Sequence, residues 1–210
     1  MYLPAAFAVP ELDELHRIVR EHPLGMLVTQ GADGLDANHL PFELDTDAGP
    51  HGVLLAHVAR ANDVWQRVGD GAQVLVVFRG AQGYVSPNWY PSKALTHRHV
   101  PTWNYEAVHV HGRLRVRDDG TSVRRIVARL TRRHEAREPR PWKMGDAPAE
   151  YLDALLKMII GIEVEIERIE GKRKLSQNRE PGDFAGVVRA LRDSGQEELA
   201  RAMERVAPRG

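Results

Sequence analysis

An aromatic-rich segment, residues 84–105, contains the side chains best suited to bind a ligand. It holds five of the 13 aromatic residues of this 210-residue chain. Pro87, Pro91 and Pro101 interrupt it, which excludes a long helix or a central strand. The rings could stack on a planar ligand while neighbouring polar groups donate or accept hydrogen bonds. Packing on the protein's own core or at a subunit interface is the alternative. The rings belong to Tyr84, Trp89, Tyr90, Trp103 and Tyr105, and the polar groups to Ser86, Asn88, Thr102 and Asn104.

Two further segments could bind an anion. In HVARAN, residues 57–62, an apolar run ends where a short helix is expected, and free amides at a helix start attract phosphate. Arg60 and Asn62 would assist, although a surface arginine and a helix cap are the alternative. In GKRKLSQNRE, residues 171–180, basic residues surround a Ser-Gln-Asn sequence, either as an anion site or as a solvated turn. These basic residues are Lys172, Arg173, Lys174 and Arg179.

No catalytic centre is recognisable, and we name no catalytic residue. The sequence lacks the GxSxG turn of serine hydrolases and the HExxH motif of zinc proteases. Two His-x-His pairs occur, His97 with His99 and His109 with His111, but no pattern of acidic residues accompanies them. We therefore expect no metal site, although imidazole is a common ligand.

Charge is balanced over the whole chain but not along it. The 29 basic and 29 acidic residues cancel, which argues against a dedicated nucleic-acid binder. Residues 1–56 hold two basic and nine acidic residues, whereas residues 123–149 hold eight and three. A helix expected at 121–137 is rich in arginine, but the prolines that follow it do not suit a helix-turn-helix. An acidic strand at 162–167 offers it an internal partner, and its glutamates are expected to be solvated edge charges: Glu163, Glu165 and Glu167.

Composition excludes several classes of protein. With no cysteine, the chain can form no disulfide, thiolate metal site or iron–sulfur cluster. It has no run of about 18 apolar residues, so we expect no membrane-spanning helix. The first residues turn acidic without a basic region, unlike a signal peptide. We expect a cytoplasmic protein.

Hydrophobic periodicity predicts a mainly β protein with helical additions (α+β). Strict alternation at 107–117 places valine and leucine on one face, with histidine and arginine on the other. Short strands with late helices favour a β-barrel, and the absence of GxGxxG disfavours a dinucleotide-binding fold. Domains are predicted at 1–182 and 183–210, the second a helical tail. Strands are predicted at 25–30, 38–44, 52–57, 72–79, 107–117 and 162–169, and helices at 10–21, 59–68, 121–137, 149–160 and 183–206, the last broken at Ser194-Gly195.

Six sequence blocks, in this order, resemble the PaiB-like proteins, the FMN-binding negative transcriptional regulators of bacteria. The resemblance runs from Met1 to about Leu191, and VSPNWY and VPTWNY are its most specific parts. The blocks are MYLPAAF, LPFEL, AHVARAN, GYVSPNWYPSK, VPTWNYEAVHVHG and KLSQNR.

The resemblance implies an FMN-binding split β-barrel with C-terminal helices, assembled as a homodimer with flavin near the subunit interface. Residues along the flavin would be Asn38, His39, Leu40 and Pro41. Those near its phosphate or ribityl chain would be His57, Ala59, Arg60 and Asn62. The pocket wall would comprise Tyr84, Ser86, Trp89, Trp103 and Asn104, and the residues closing it Lys174, Ser176 and Gln177.

Three functions are compatible with this resemblance. The first is an FMN-dependent repressor of protease or sporulation-type genes, for which DNA is a partner. The second is an FMN-dependent oxidoreductase or flavin reductase related to pyridoxamine-phosphate oxidases, in which the flavin carries the redox step. The third is haem binding, since some split barrels bind haem and the chain has ten histidines.

Overall fold

A computed structural model describes residues 1–207 and contains eight strands and seven α-helices in that range. The strands are β1 (Ala8–Val9), β2 (Leu24–Gly31), β3 (Gly34–Pro41), β4 (Glu43–Asp45), β5 (Val53–Ala59), β6 (Gln73–Val85), β7 (Thr102–Arg117) and β8 (Ile159–Lys174). The helices are α1 (Leu12–Glu21), α2 (Val64–Val68), α3 (Lys93–Thr96), α4 (Gly120–Glu135), α5 (Ala149–Leu156), α6 (Pro181–Asp193) and α7 (Glu197–Glu204). No helix of these residues is long and apolar enough to cross a membrane.

The strands form one antiparallel-rich sheet, which confirms the predicted mainly β class with helical additions. The order is β3-β2-β6-β7-β8-β5-β4, with β1 paired to β8, and it does not close on itself. The register places Leu27 opposite both Asn38 and Val76, and His57 opposite Gly161. Strand β3 pairs only with β2 along this path, so Pro41 occupies an edge strand, where a missing N–H is tolerated.

Several predicted boundaries were wrong for identifiable reasons. The run 38–44 divides at Phe42, because β3 pairs with β2 and β4 pairs with β5. The helix predicted to reach residue 160 ends at Leu156, since Ile159 already pairs with Ala59. The aromatic segment is part strand: β6 extends to Val85, and β7 begins directly after the last of its prolines. The helix predicted at 59–68 is shorter in the structure, where α2 comprises only Val64–Val68.

The chain divides into two compact units. Among the described residues, the first comprises residues 1–18, 79–108 and 170–207, and the second comprises residues 19–78 and 109–169. Within the first unit, α6 and α7 pack on the end of β6 and on Tyr90 and Leu175. The break between the two helices at 194–196 confirms the predicted interruption. The domain division at residue 182 stays a prediction. The core of this unit includes Val85, Tyr90, Leu175, Phe184, Val187, Leu191, Leu199 and Met203.

The second unit contains a ladder of ion pairs between β7 and β8. Its three rungs join Arg113 to Glu167, Arg115 to Glu165 and Arg117 to Glu163. Glu163 is only 6% exposed and also binds Arg125 of α4 at 2.6 Å. The expectation of three solvated glutamates was therefore wrong for Glu163, which two guanidinium groups neutralise. The expectation of an internal acidic partner for the basic helix was correct at this position.

In the first unit, a buried carboxylate anchors the segment between β6 and β7. Asp183 of α6 accepts hydrogen bonds from the Ser92 amide at 3.0 Å and the Ser92 hydroxyl at 2.6 Å. The same hydroxyl contacts His99 Nε2 at 2.8 Å, and the His99 ring lies 4.9 Å from that of Tyr90. Close approach is possible because Gly186 has no side chain: a Cβ there would lie 2.4 Å from the Trp89 carbonyl oxygen. The proline-rich backbone between β6 and β7 makes no sheet hydrogen bonds and is instead fixed to α6 by these contacts.

Opposing effects act on the pKa of Asp183. Burial raises it, but the hydrogen bonds from Ser92 and the nearby His99 and Arg179 lower it by more, so the pKa lies below its ordinary value. Because the pKa is lower in the folded state than in the unfolded state, where it is about 3.8, the ionised carboxylate stabilises the fold above that pH. This stabilisation is lost as the pH falls through the lower pKa of the folded state.

The substitution Glu163→Gln should lower the free energy of unfolding by about 2 kcal/mol, because it leaves two arginines without a charged partner. Glu167→Gln, on the same strand, is the control. Its pair with Arg113 is about half exposed, so the loss should be at most about 0.5 kcal/mol. Urea denaturation at neutral pH measures both values. Equal losses would show that burial of Glu163 does not set the energy of the ladder.

The substitution Asp183→Asn should cost about 2 kcal/mol of stability at pH 7, because a buried charge-assisted acceptor is lost. Wild type and variant should differ by a constant amount down to about pH 4.5 and converge below about 3.8, where the wild-type carboxyl loses its charge. Asp193→Asn, at the exposed end of α6, is the control and should change stability by less than about 0.5 kcal/mol. Urea denaturation over the pH series tests this, and a difference that grew in acid would be the wrong sign.

Candidate functional site

The sixteen residues expected to bind the cofactor divide between the two units, eight in each. In the first unit, the aromatic residues lie near the last residue of β6, near the first residue of β7 and on the segment between these strands. Tyr84 is 46% exposed and Trp103 is 50% exposed, so both offer ring surface to a ligand. Trp89 instead packs partly on the hydrophobic core, and Tyr90 is wholly inside it. The exposed rings of Tyr84 and Trp103 therefore fit the interpretation of the aromatic segment as a ligand-stacking surface, whereas Trp89 and Tyr90 fit its interpretation as part of the core.

Four polar residues of the first unit make hydrogen bonds within the protein. Asn104 is completely buried, and its side chain exchanges hydrogen bonds with the Ser176 hydroxyl at 3.0 and 3.2 Å. Gln177 accepts from the Leu175 amide and donates to two backbone carbonyls. The Ser86 hydroxyl accepts from an amide in the next turn. These hydrogen bonds fix the backbone around the rings, and the Asn104 and Ser176 side chains are buried.

Lys174 has a different environment. Its ammonium donates to the Thr102 hydroxyl and, at 3.0 Å, to the Trp103 carbonyl oxygen. These contacts hold the ammonium at the start of β7, and neither acceptor is a carboxylate, so they leave its charge unneutralised. A cation on the strand end that carries the half-exposed Trp103 ring is suited to an anionic planar ligand.

In the second unit, a hydrogen-bonded pair links β3 to the start of α2. Asn62 donates to the Asn38 side-chain oxygen at 2.7 Å, and its own oxygen accepts from the Val64 amide. The next residues of β3 alternate, with His39 exposed, Leu40 buried and Pro41 exposed. The predicted helix-cap role of Asn62 therefore coexists with a contact between the two predicted segments.

His57, on β5, has a buried Nδ1 atom without a hydrogen-bond partner among the described residues. Burial lowers the pKa of the imidazole, so the ring is neutral at pH 7. Such a nitrogen can accept a hydrogen bond from a ligand or, as the other tautomer, donate one. Among the eight residues of this unit's set, His57 is the one with an unfilled buried hydrogen-bonding atom.

Arg60 is already engaged by its own unit. Its guanidinium forms a bidentate pair with Asp118, which raises the pKa of Arg60, and donates to the Lys157 carbonyl oxygen at 2.8 Å. It borders a cavity of about 570 Å³ beside the N-terminus of α4, next to the exposed Ala59. An incoming phosphate would have to compete with the Asp118 carboxylate for this arginine.

Sequence reasoning did not single out three residues that the structure makes prominent. Asp183 lies in an ordinary helical sequence, and its partner Ser92 is 91 residues away, so no local signal could identify it. Lys172 was visible only as one of a basic run, yet it is 8% exposed. Tyr105 was one of five clustered rings, and only the structure shows that the Lys172 ammonium lies 5.5 Å from the centre of its ring.

Comparison with known proteins supports the assignment of the chain. A family model described as "Putative FMN-binding domain" matches residues 1–168. An uncharacterized protein of Emericella nidulans is 34% identical over 93% of this chain and 92% of its own. The "Protease synthase and sporulation protein PAI 2" of Bacillus subtilis is 30% identical over 97% of both chains.

Solved structures agree with the fold. The FAD and heme binding protein of Mycobacterium smegmatis superposes with a TM-score of 0.55 at 14% identity, covering 79% of this chain and 72% of that one. The sheet with its helices therefore has the fold of this structure, and the predicted fold is confirmed. The chain therefore belongs to the FMN-binding family that includes the Bacillus PAI 2 protein, as its resemblance to PaiB-like proteins indicated, and the cofactor of this family is FMN.

Proposed function

We propose that this protein is an FMN-binding homodimer that acts as a negative transcriptional regulator of the PaiB type, through its flavin and not through a DNA-reading helix. The observations that carry the first part are the half-exposed ring of Trp103 and the Lys174 ammonium bound to the Trp103 carbonyl oxygen. The observation that carries the second is the internal pairing of the arginines of α4.

The residues of the first unit fit FMN. Trp103 and Tyr84 offer ring faces on which an isoalloxazine can pack, and aromatic stacking is favourable in offset geometry. Lys174 adds a positive charge that no carboxylate neutralises. Asn104, Ser176 and Gln177 would contribute by fixing the backbone around these side chains.

The residues of the second unit fit FMN in part. The unpartnered Nδ1 of His57 could bind a hydroxyl or amide of the cofactor, and the exposed face of β3 could pack along its rings. Arg60 fits less well as a phosphate ligand, because Asp118 already occupies its guanidinium. We therefore assign Arg60 to positioning the loop before α2, with the phosphate charge met elsewhere.

When bound, FMN supplies a redox-active ring that can accept or donate electrons. The chain's own residues would hold that ring, exclude water from the face that packs on Trp103, and set its orientation. Two copies of the chain would share the site, since large half-exposed rings such as Tyr84 and Trp103 are typical of subunit interfaces.

The basic helix α4 is a poor candidate for reading DNA. Arg124 pairs with Asp153, Arg125 with Glu163 and Arg129 with Asp45. Arg133 lies 3.7 Å from the carboxylate of Glu43. Binding DNA phosphates would require these pairs to break, so any regulatory effect is more simply exerted by a surface of the dimer or indirectly.

The same pairing favours a second candidate, an FMN-dependent oxidoreductase or flavin reductase, because such an enzyme needs no DNA-binding surface. Turnover of NAD(P)H with FMN distinguishes the two. Haem binding is a third candidate, which one solved relative named as an FAD and heme binding protein brings forward. A haem absorption band in place of flavin bands would identify it.

Replacement of Trp103 by alanine should weaken FMN binding about fivefold, because about 1 kcal/mol of ring stacking is lost. Trp142→Ala is a matched control, since Trp142 is also about 41% exposed and is not among the sixteen residues expected to bind the cofactor. Quenching of flavin fluorescence on titration with each protein gives the dissociation constants. Similar effects of the two substitutions would contradict the proposed ring contact.

The purified protein should bind the DNA upstream of its own gene no more than about threefold more tightly than a scrambled duplex, because specific readout requires free side chains in a groove. Fluorescence anisotropy across a salt series measures both affinities. The double variant Arg124→Gln/Arg133→Gln should leave the ratio unchanged. A specific preference of about a thousandfold that this variant abolishes would show that α4 reads DNA.

A further inference from the structure

Two lysines and two aromatic residues form a small face within the first unit. Lys172 and Lys174 lie two residues apart on β8, and Trp103 and Tyr105 lie two residues apart on the neighbouring strand β7. Because successive side chains of a strand point to opposite faces, the two members of each pair project to the same side. The contacts match them in order: Lys172 with the Tyr105 ring, and Lys174 with the Trp103 carbonyl oxygen. We call this set the aromatic–lysine face.

Lys172 is a buried cation without a carboxylate. The residue is 8% exposed, and its ammonium lies 5.5 Å from the centre of the Tyr105 ring and 5.3 Å from that of Tyr2. Its one hydrogen bond runs to the Tyr2 carbonyl oxygen at 3.2 Å. Two of its three N–H groups therefore have no acceptor within residues 1–207.

The neighbouring acidic groups are used by other cations. Glu170 accepts from the amino terminus at 2.8 Å, and Glu14 binds Arg173 at 2.7 Å as well as Arg17. Lys174 likewise has neutral acceptors alone, the Thr102 hydroxyl and a backbone carbonyl. Neither ammonium is in an ion pair with a carboxylate of the described chain, so the face carries two uncompensated charges.

Burying an ammonium without a counter-charge is costly, and rings compensate only part of the cost. A bound anion would complete the balance, and charge-assisted hydrogen bonds to it are the strong ones. The half-exposed ring of Trp103, the residue whose carbonyl oxygen binds Lys174, adds a flat apolar surface of the kind that a planar ligand covers.

We propose that the aromatic–lysine face binds an aromatic anion, with its ring against Trp103 and Tyr105 and its phosphate or carboxylate at Lys172 and Lys174. The anion is either the phosphate end of FMN or a separate aromatic substrate. In the first case the inference rests on the proposed function; in the second it stands by itself. Because Arg60 is occupied by Asp118, these lysines are the better match for a phosphate.

The test uses 1-naphthyl phosphate, a planar ring with one phosphate, and the uncharged 1-naphthol as its control ligand. Calorimetric titration should show that the wild-type protein binds the phosphate about tenfold more tightly than the alcohol. Lys172→Met and Lys174→Met should each reduce this preference to about twofold or less. Lys143→Met, in the second unit, should leave it unchanged, and Lys172→Arg should retain most of it.

Parallel titrations with FMN and riboflavin identify the source of the anion. A fall in the FMN-to-riboflavin preference of both methionine variants assigns the face to the flavin phosphate. If both methionine variants keep the wild-type FMN-to-riboflavin preference but have a reduced naphthyl phosphate preference when saturated with FMN, the face binds a second aromatic anion. A protein that binds no FMN but keeps the lysine-dependent preference contradicts the proposed function and supports this face.

Two results would overturn the proposal. One is equal affinity of the wild-type protein for 1-naphthyl phosphate and 1-naphthol. The other is an undiminished preference in both Lys172→Met and Lys174→Met. Thermal unfolding and sedimentation of every variant show whether it is folded and in which oligomeric state. If a second copy of the chain covers the face, the dimer shows no ligand preference, which is the first of these two results.

Discussion

The buried carboxylate of Asp183 is the constraint on which the arrangement of the first unit depends. The backbone between β6 and β7 contains three prolines and lacks ladder hydrogen bonds, so it cannot be held as sheet. Asp183 fixes it by accepting both the amide and the hydroxyl of Ser92, and Gly186 allows the helix to approach. One acid on a C-terminal helix thus fixes the segment that joins the strands carrying Tyr84 and Trp103.

Charge neutrality of the chain reflects local pairing more than an absence of charged surfaces. The arginines of β7 and α4 meet glutamates and aspartates of the same unit, and the deepest of these, Glu163, serves two arginines. This pairing supports the proposal that α4 does not read DNA. Lys172 and Lys174 differ from these arginines, because their hydrogen bonds go to neutral oxygens and the Lys172 ammonium lies beside the Tyr105 ring. These two lysines lie on the face that we propose for a planar anionic ligand.

The sequence was informative wherever the signal is local. Alternation along β7 identified a strand with one buried face, and the aromatic cluster with its prolines marked the segment around the candidate site. Partners far apart in the chain could not be inferred. The burial of Glu163 depends on how β8 lies against α4, and the role of Asp183 depends on a residue 91 positions away. Arg60 looked like a phosphate ligand because Asp118 is distant in sequence.

As a member of the FMN-binding family, this chain should be a flavoprotein that uses FMN. The visible absorption spectrum of the purified protein, before and after saturation with FMN and removal of the excess, shows whether the cofactor is retained. Retained flavin bands, shifted from those of free FMN and present in a fixed ratio to protein, are the predicted result. A protein that stays colourless after saturation, or that shows the bands of haem, would contradict the account.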